Sequence, residues 1–125
     1  MIVIDTIPNI DLELYDEVWY PTCTNPGMRV GCNWHPEIGP SRECFSLWHK
    51  TKDEVLVSEL YAQELEAKDR TLRDVVNYCK DKWIQMVCYE DNPYESDIYI
   101  LYAALSKYTK DIKINGVKPG GYPND

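Results

Sequence analysis

The stretch from Thr71 to Tyr89, TLRDVVNYCKDKWIQMVCY, constrains this chain more than any other. Leu72, Val75, Val76, Cys79, Trp83, Met86 and Val87 recur at three- and four-residue steps, so the spacing predicts a helix with one apolar face. Arg73, Asp74, Lys80, Asp81 and Lys82 fall mainly opposite. Thr71 can cap the first turn, because its hydroxyl accepts from unpaired amides there. An apolar seam that contains a Trp has to be covered, and the rest of the chain is read as its cover. On this reading Trp83→Ala empties part of the core and costs about 3–5 kcal/mol.

Ile2 to Ile7 is β-branched and stopped by Pro8, which predicts a first strand. From Ile10 to Tyr20 apolar and acidic residues alternate with a slip near residues 15–17, the pattern of a bulged strand or of two short ones. PTCTNPG (21–27) is turn chemistry, and Met28, Val30, Cys32 and Trp34 share one side of a further strand. HPEIGPSR is a loop, after which ECFSLWHK (43–50) resumes extended alternation. Residues 1–50 therefore read as an antiparallel meander of three to four strands.

The period changes at Thr51. TKDE has the form of a capping box, and Leu56, Val57, Leu60, Tyr61 and Leu65 follow at helical spacing. Asn92-Pro93-Tyr94-Glu95 is another helix start, with Ile98, Leu101, Tyr102, Leu105 and Tyr108 continuing its stripe. Residues 111–118 form a short β-like segment around an Asn115-Gly116 turn, and 119–125 read as a frayed tail. The expected fold is α+β: one domain, 1–125, with an N-terminal antiparallel sheet packed against two to three C-terminal helices.

A chain of 125 residues with net charge −8 and pI near 4.7 lacks the basic surface that general nucleic-acid or anionic-membrane binding needs. The acids are unevenly spread. Residues 1–28 hold Asp5, Asp11, Glu13, Asp16 and Glu17 without a Lys or Arg, and the interval between Lys82 and Lys107 holds Glu90, Asp91, Glu95 and Asp97. The start of the chain lacks a basic n-region, and nothing approaches the roughly 20 apolar residues of a membrane span. A cytoplasmic protein with reduced thiols is expected, and the odd count of five Cys also resists a full disulfide framework.

Three chemistries compete for these residues. Asp11, Glu13, Asp16 and Glu17, with Tyr94, Glu95, Asp97 and Tyr99, form an acidic, Tyr-rich surface for a protein partner with a basic face; ten Tyr against one Phe favour such amphipathic contacts. Arg29 and Arg42 beside Trp34 and Trp48 could hold a nucleotide, the base on a ring and the phosphate on a guanidinium. Cys32, His35, Cys44 and His49 could supply four donors to a structural zinc, although the spacing has no C-x-x-C. A Cys–His nucleophile drawn from the same four residues has no third orienting group and no family motif. Phosphate-binding glycine loops, H-E-x-x-H and EF-hand loops are all missing.

The function that fits best is therefore a small acidic binding protein, with no cofactor, that occludes or sequesters a partner in the manner of a phage-type inhibitor of a host enzyme. Small-ligand or nucleotide binding is the alternative, and a zinc-stabilised module the next. Exposed Tyr faces are compatible with a homo-oligomer, though no heptad or symmetric motif demands one.

Overall fold

Residues 71–89 are not one helix. In the computed structural model, which describes residues 1–25, 27 and 31–118, helix α3 (Asp69–Cys79) stops and strand β4 (Ile84–Cys88) begins after four intervening residues. The apolar seam of α3, Leu72, Val75 and Cys79, is buried as the spacing required. All five residues of β4 are buried too, which a strand covered on both faces demands. A short apolar run fits either period, and the polar Lys80-Asp81-Lys82 is where the periods change.

β4 sits at the centre of a five-stranded sheet with β1 (Ile2–Thr6), β2 (Glu17–Tyr20), β3 (Cys32–Trp34) and β5 (Ile112–Ile114), in the order β3-β2-β4-β1-β5. Every pairing is parallel, with Ile4 opposite Met86 and Ile114, Trp19 opposite Met86, and Val18 opposite Cys32. The fold is thus α/β, which overturns the antiparallel sheet packed against C-terminal helices. The meander failed because 10–16 was read as strand and 21–27 as a tight turn, whereas the connections from β1 to β2 and from β2 to β3 carry the chain back to start a parallel strand.

Four helices, α1 (Arg42–Thr51), α2 (Glu54–Glu66), α3 and α4 (Ile98–Leu105), pack on one face of the sheet. There Ile2, Ile4, Trp19, Ile84 and Met86 meet Tyr61, Leu65, Leu72, Leu101 and Leu105. The other face carries Val18, Tyr20, Cys32 and Val87, against which Ile7 and Ile10 of the β1–β2 connection pack. Asp5 and Gln85 are buried on strands β1 and β4, joined by a hydrogen bond of 3.3 Å.

The segment 43–50, read as a strand, is α1. Ser41 caps it by accepting from Cys44 N–H at 3.2 Å, and Cys44, Leu47 and Trp48 have helical spacing as well as the alternation that misled. Thr51 closes α1 and does not open α2. The cap of α2 is Asp53, whose carboxylate accepts from Val55 and Leu56 N–H. Of the 10–20 alternation only Glu17–Tyr20 is a strand. The helix predicted from Asn92 starts as a 3-10 turn (Pro93–Glu95) capped by the Asn92 side chain, and α4 follows it. The β-like 111–118 segment contributes β5, while the 28–30 part of the third strand and the 119–125 tail lie outside the described residues.

Trp83, assigned to the seam, is 46% exposed and rests against Tyr15 with ring centroids 6.2 Å apart. Its removal forfeits a partial contact, not a core side chain. Trp83→Ala is therefore expected to cost only about 1 kcal/mol, and a urea titration should show a cooperative transition close to that of the parent.

Candidate functional site

In a parallel sheet, ligands collect outside the carboxyl ends of the strands, where connections from neighbouring strands depart in opposite directions. Here the chain leaves β2 toward the β3 edge and leaves β4 across β1 toward β5. The gap between the carboxyl ends of β2 and β4 is that switch point. A cleft of about 540 Å³ opens beside it, receiving Cys23 from beyond β2 and Glu90 from beyond β4.

Three helical elements wall the cleft. α1 gives Cys44, Phe45 and Trp48; the first turns of α2 give Glu54, Val57 and Ser58; the 3-10 turn and start of α4 give Tyr94, Glu95, Asp97 and Tyr99. Gly39 lets the β3–α1 connection close against the β2–β3 connection, since a Cβ there would stand 2.8 Å from Pro21 C and O and from Thr22 N. The Trp34 indole donates to Thr22 O at 2.8 Å and pins the same connection from the sheet side.

The wall is aromatic and the charges are all of one sign. Glu54, Glu90, Glu95 and Asp97 line the cleft, and among its described lining residues there is no Lys, Arg or His. Burial raises the Asp97 carboxyl above the ordinary range, and the Glu90 and Glu54 carboxylates push it the same way. Lys52 lies outside the lining, its ammonium 5.2 Å from the Trp48 ring. Tyr94 and Tyr99 contact each other at 5.5 Å between centroids, and burial raises the Tyr94 phenol.

Cys44 is buried at the cleft wall, its Sγ donating to Glu64 Oε1 at 3.3 Å while Ser41 Oγ donates to Glu64 Oε2. Burial, foremost among several causes, holds this thiol above its ordinary range, so it is neutral near pH 7. It faces a carboxylate rather than a histidine, which removes the geometry of a Cys–His nucleophile.

The sequence-derived residues fare unequally. Tyr94, Glu95, Asp97 and Tyr99 all come together in the cleft. Asp11, Glu13, Asp16 and Glu17 do not join them. Asp16 accepts from Trp83 N–H at 2.8 Å and Glu17 from the Trp19, Asn33 and Tyr78 side chains, so both brace the amino ends of β2 and β4. Asp11 caps a turn by accepting from Glu13 and Leu14 N–H, and Glu13 is exposed beside it.

Of the nucleotide set only Trp48 lines the cleft. Arg42 is exposed in the first turn of α1, Trp34 serves the connection described above, and Arg29 lies outside the described residues. The zinc set is scattered. Cys32 and Cys44 pack in separate clusters, His35 stacks on Trp19 at 3.7 Å and pairs with Glu37, and His49 meets Phe45 edge-on at 4.3 Å. Among the described residues no three His, Cys, Asp or Glu are arranged to hold a metal ion. The five thiols are free, and no described helix is long and apolar enough to cross a membrane.

Residues 24–105 match the family model described as Domain of unknown function DUF488, which is more than half of the chain. The chain belongs to this family. The matched span runs from the approach to β3 through the end of α4 and contains every cleft residue named above except Cys23. No curated protein and no solved structure matches the chain. Sequence reasoning missed Cys23, Phe45, Glu54 and Glu90 as cleft residues. Glu54 had been absorbed as a capping-box partner, and Cys23 sits in a stretch whose only legible signal was turn chemistry.

Proposed function

We propose that this DUF488 chain is an acidic binding protein of the cytoplasm that occludes a protein partner by seating one of its basic side chains in the cleft. The supporting observation is the charge imbalance: four carboxylates face a cavity with aromatic walls and no cation among its described lining residues. A Lys or Arg head would pair with the carboxylates, and its stem and charge would lie against Trp48, Tyr94 and Tyr99. The rim continues into exposed apolar groups at Phe45, Val55 and Leu56 on α1 and α2, which suits a macromolecular partner better than a free ion. Phosphate-bearing ligands meet repulsion in the same field, so the nucleotide reading is not carried forward.

A hexalysine peptide titrated into the protein tests this. E54Q/E90Q/E95Q is expected to weaken binding at least tenfold, whereas E13Q/E59Q/E66Q, which removes the same number of negative charges at exposed positions away from the cleft lining, should change it less than twofold. Raising salt from about 0.05 to 0.5 M should weaken binding by the wild type far more than by the cleft variant. Equal losses in the two triple variants would refute a localised site.

A further inference from the structure

The charged groups that press on Asp97 are all acidic. Glu54 reaches it from the first turn of α2, Glu90 from the segment after β4, and Glu95 lies on the turn just before it. The other titratable groups around the cleft bring no positive charge: the thiols Cys23 and Cys44, the phenols Tyr94 and Tyr99, and the Glu64 carboxyl that accepts from Cys44 Sγ, with Tyr61 of α2 buried behind and sensing the Asp97 charge. Lys52 lies over the Trp48 ring, 5.2 Å from its centroid and outside the cleft lining, and His49 packs against Phe45. Asp97 is half-buried, and the backbone N–H of Ile100 is bonded to its backbone carbonyl at 2.9 Å.

We propose that the cleft takes up its cation by exchange for a proton carried on Asp97. The exchange rests on the reading of this cavity as a cation site. In the empty cleft, burial and two neighbouring carboxylates favour the neutral carboxyl, and an ammonium group placed among them reverses the preference. The O–H bond of Asp97 breaks and its proton leaves to water or buffer. The lysine ammonium keeps all of its protons, because it titrates near pH ~10.4, and no covalent bond forms to the ligand.

The sign follows from linkage. A carboxyl raised on folding adds stability that is complete below its ordinary value of 3.8 and is lost as pH rises through the raised value. A ligand that returns the carboxyl toward its ordinary value must bind more tightly as pH rises over the same window, by up to about tenfold per unit for one proton.

Calorimetric titration of the whole chain with a hexalysine peptide, from pH 4 to 7.5 and in paired buffers of different ionisation enthalpy, counts the protons released. The wild type should release a fraction approaching one proton in the window, with affinity rising alongside. Asp97→Asn, which keeps the side-chain shape, should bind more weakly at pH 7.5 and lose both the buffer dependence and the pH slope. Glu90→Gln, exposed and outside the core, should move the window to lower pH. Binding without proton release, or release undiminished in Asp97→Asn, overturns the exchange and leaves the cation site standing. No binding at any pH overturns both.

Discussion

Asp5→Ala is expected to destabilise the protein by about 3–5 kcal/mol, lowering its melting temperature by roughly 10–20 °C. Asp5 is 3% exposed at the carboxyl end of β1 and holds four donors on one carboxylate. Oδ1 accepts from Thr6 N–H at 2.8 Å and Asn9 Nδ2 at 2.9 Å; Oδ2 accepts from Gln85 Nε2 at 3.3 Å and Asn115 Nδ2 at 3.1 Å. These partners belong to the β1–β2 connection, to β4 and to the exit from β5, so one side chain ties three neighbouring strands on the face without helices. A buried charge of this kind is tolerable only because every lone pair is used. Its loss leaves the Thr6 N–H and the Gln85 amide in a dry interior, each costing about 1–3 kcal/mol, with partial relief where Gln85 Nε2 also donates to Asn9 O at 2.8 Å, while the exposed Asn9 and Asn115 can turn to water. Asp5→Asn should do nearly as much harm, since its amide nitrogen would confront donors. A thermal melt of Asp5→Ala within about 3 °C of the parent would show that the carboxylate is not the tie it is taken to be.

The same residue shows what the sequence could and could not convey. Asp5 was legible only as one more acid in a basic-free interval, because the two partners that tie it to other strands, Gln85 and Asn115, lie 80 and 110 positions away. β1 and β5 were legible as local β-branched runs, and the seam of α2 as a helical period. Their parallel arrangement was not legible: nothing local distinguishes a turn that reverses the chain from a crossover that returns it. The cleft was half legible. Tyr94, Glu95, Asp97 and Tyr99 are near neighbours in sequence and came out as one patch, while Cys44 and Trp48 were assigned to different chemistries because only folding brings α1 and the start of α4 to the same cleft. Six residues in a row that hold two Tyr and two acids can be read as a surface; a cavity assembled from three helices and two strand ends cannot.

Leu101→Ala is expected to cost about 2–5 kcal/mol, several times the cost of Trp83→Ala. Leu101 is completely buried in α4, among the residues that join this helix to α2 and to the sheet. Truncation leaves a cavity that the surroundings fill only in part, because Leu105, Tyr61 and Ile98 in the same cluster are fixed by packing of their own. The effect on the cleft should be smaller than the effect on stability. Its acidic wall begins before α4, in the turn that Asn92 holds by accepting from Tyr94 and Val117 N–H and donating to Val117 O at 2.7 Å. Well below the melting temperature, hexalysine binding by Leu101→Ala should therefore stay within about threefold of the parent. Paired urea titrations of the two variants test the architecture directly. If Trp83→Ala proved the more damaging, the apolar seam would have to run through 71–89 as one helix, and the parallel sheet with β4 at its centre could not be right.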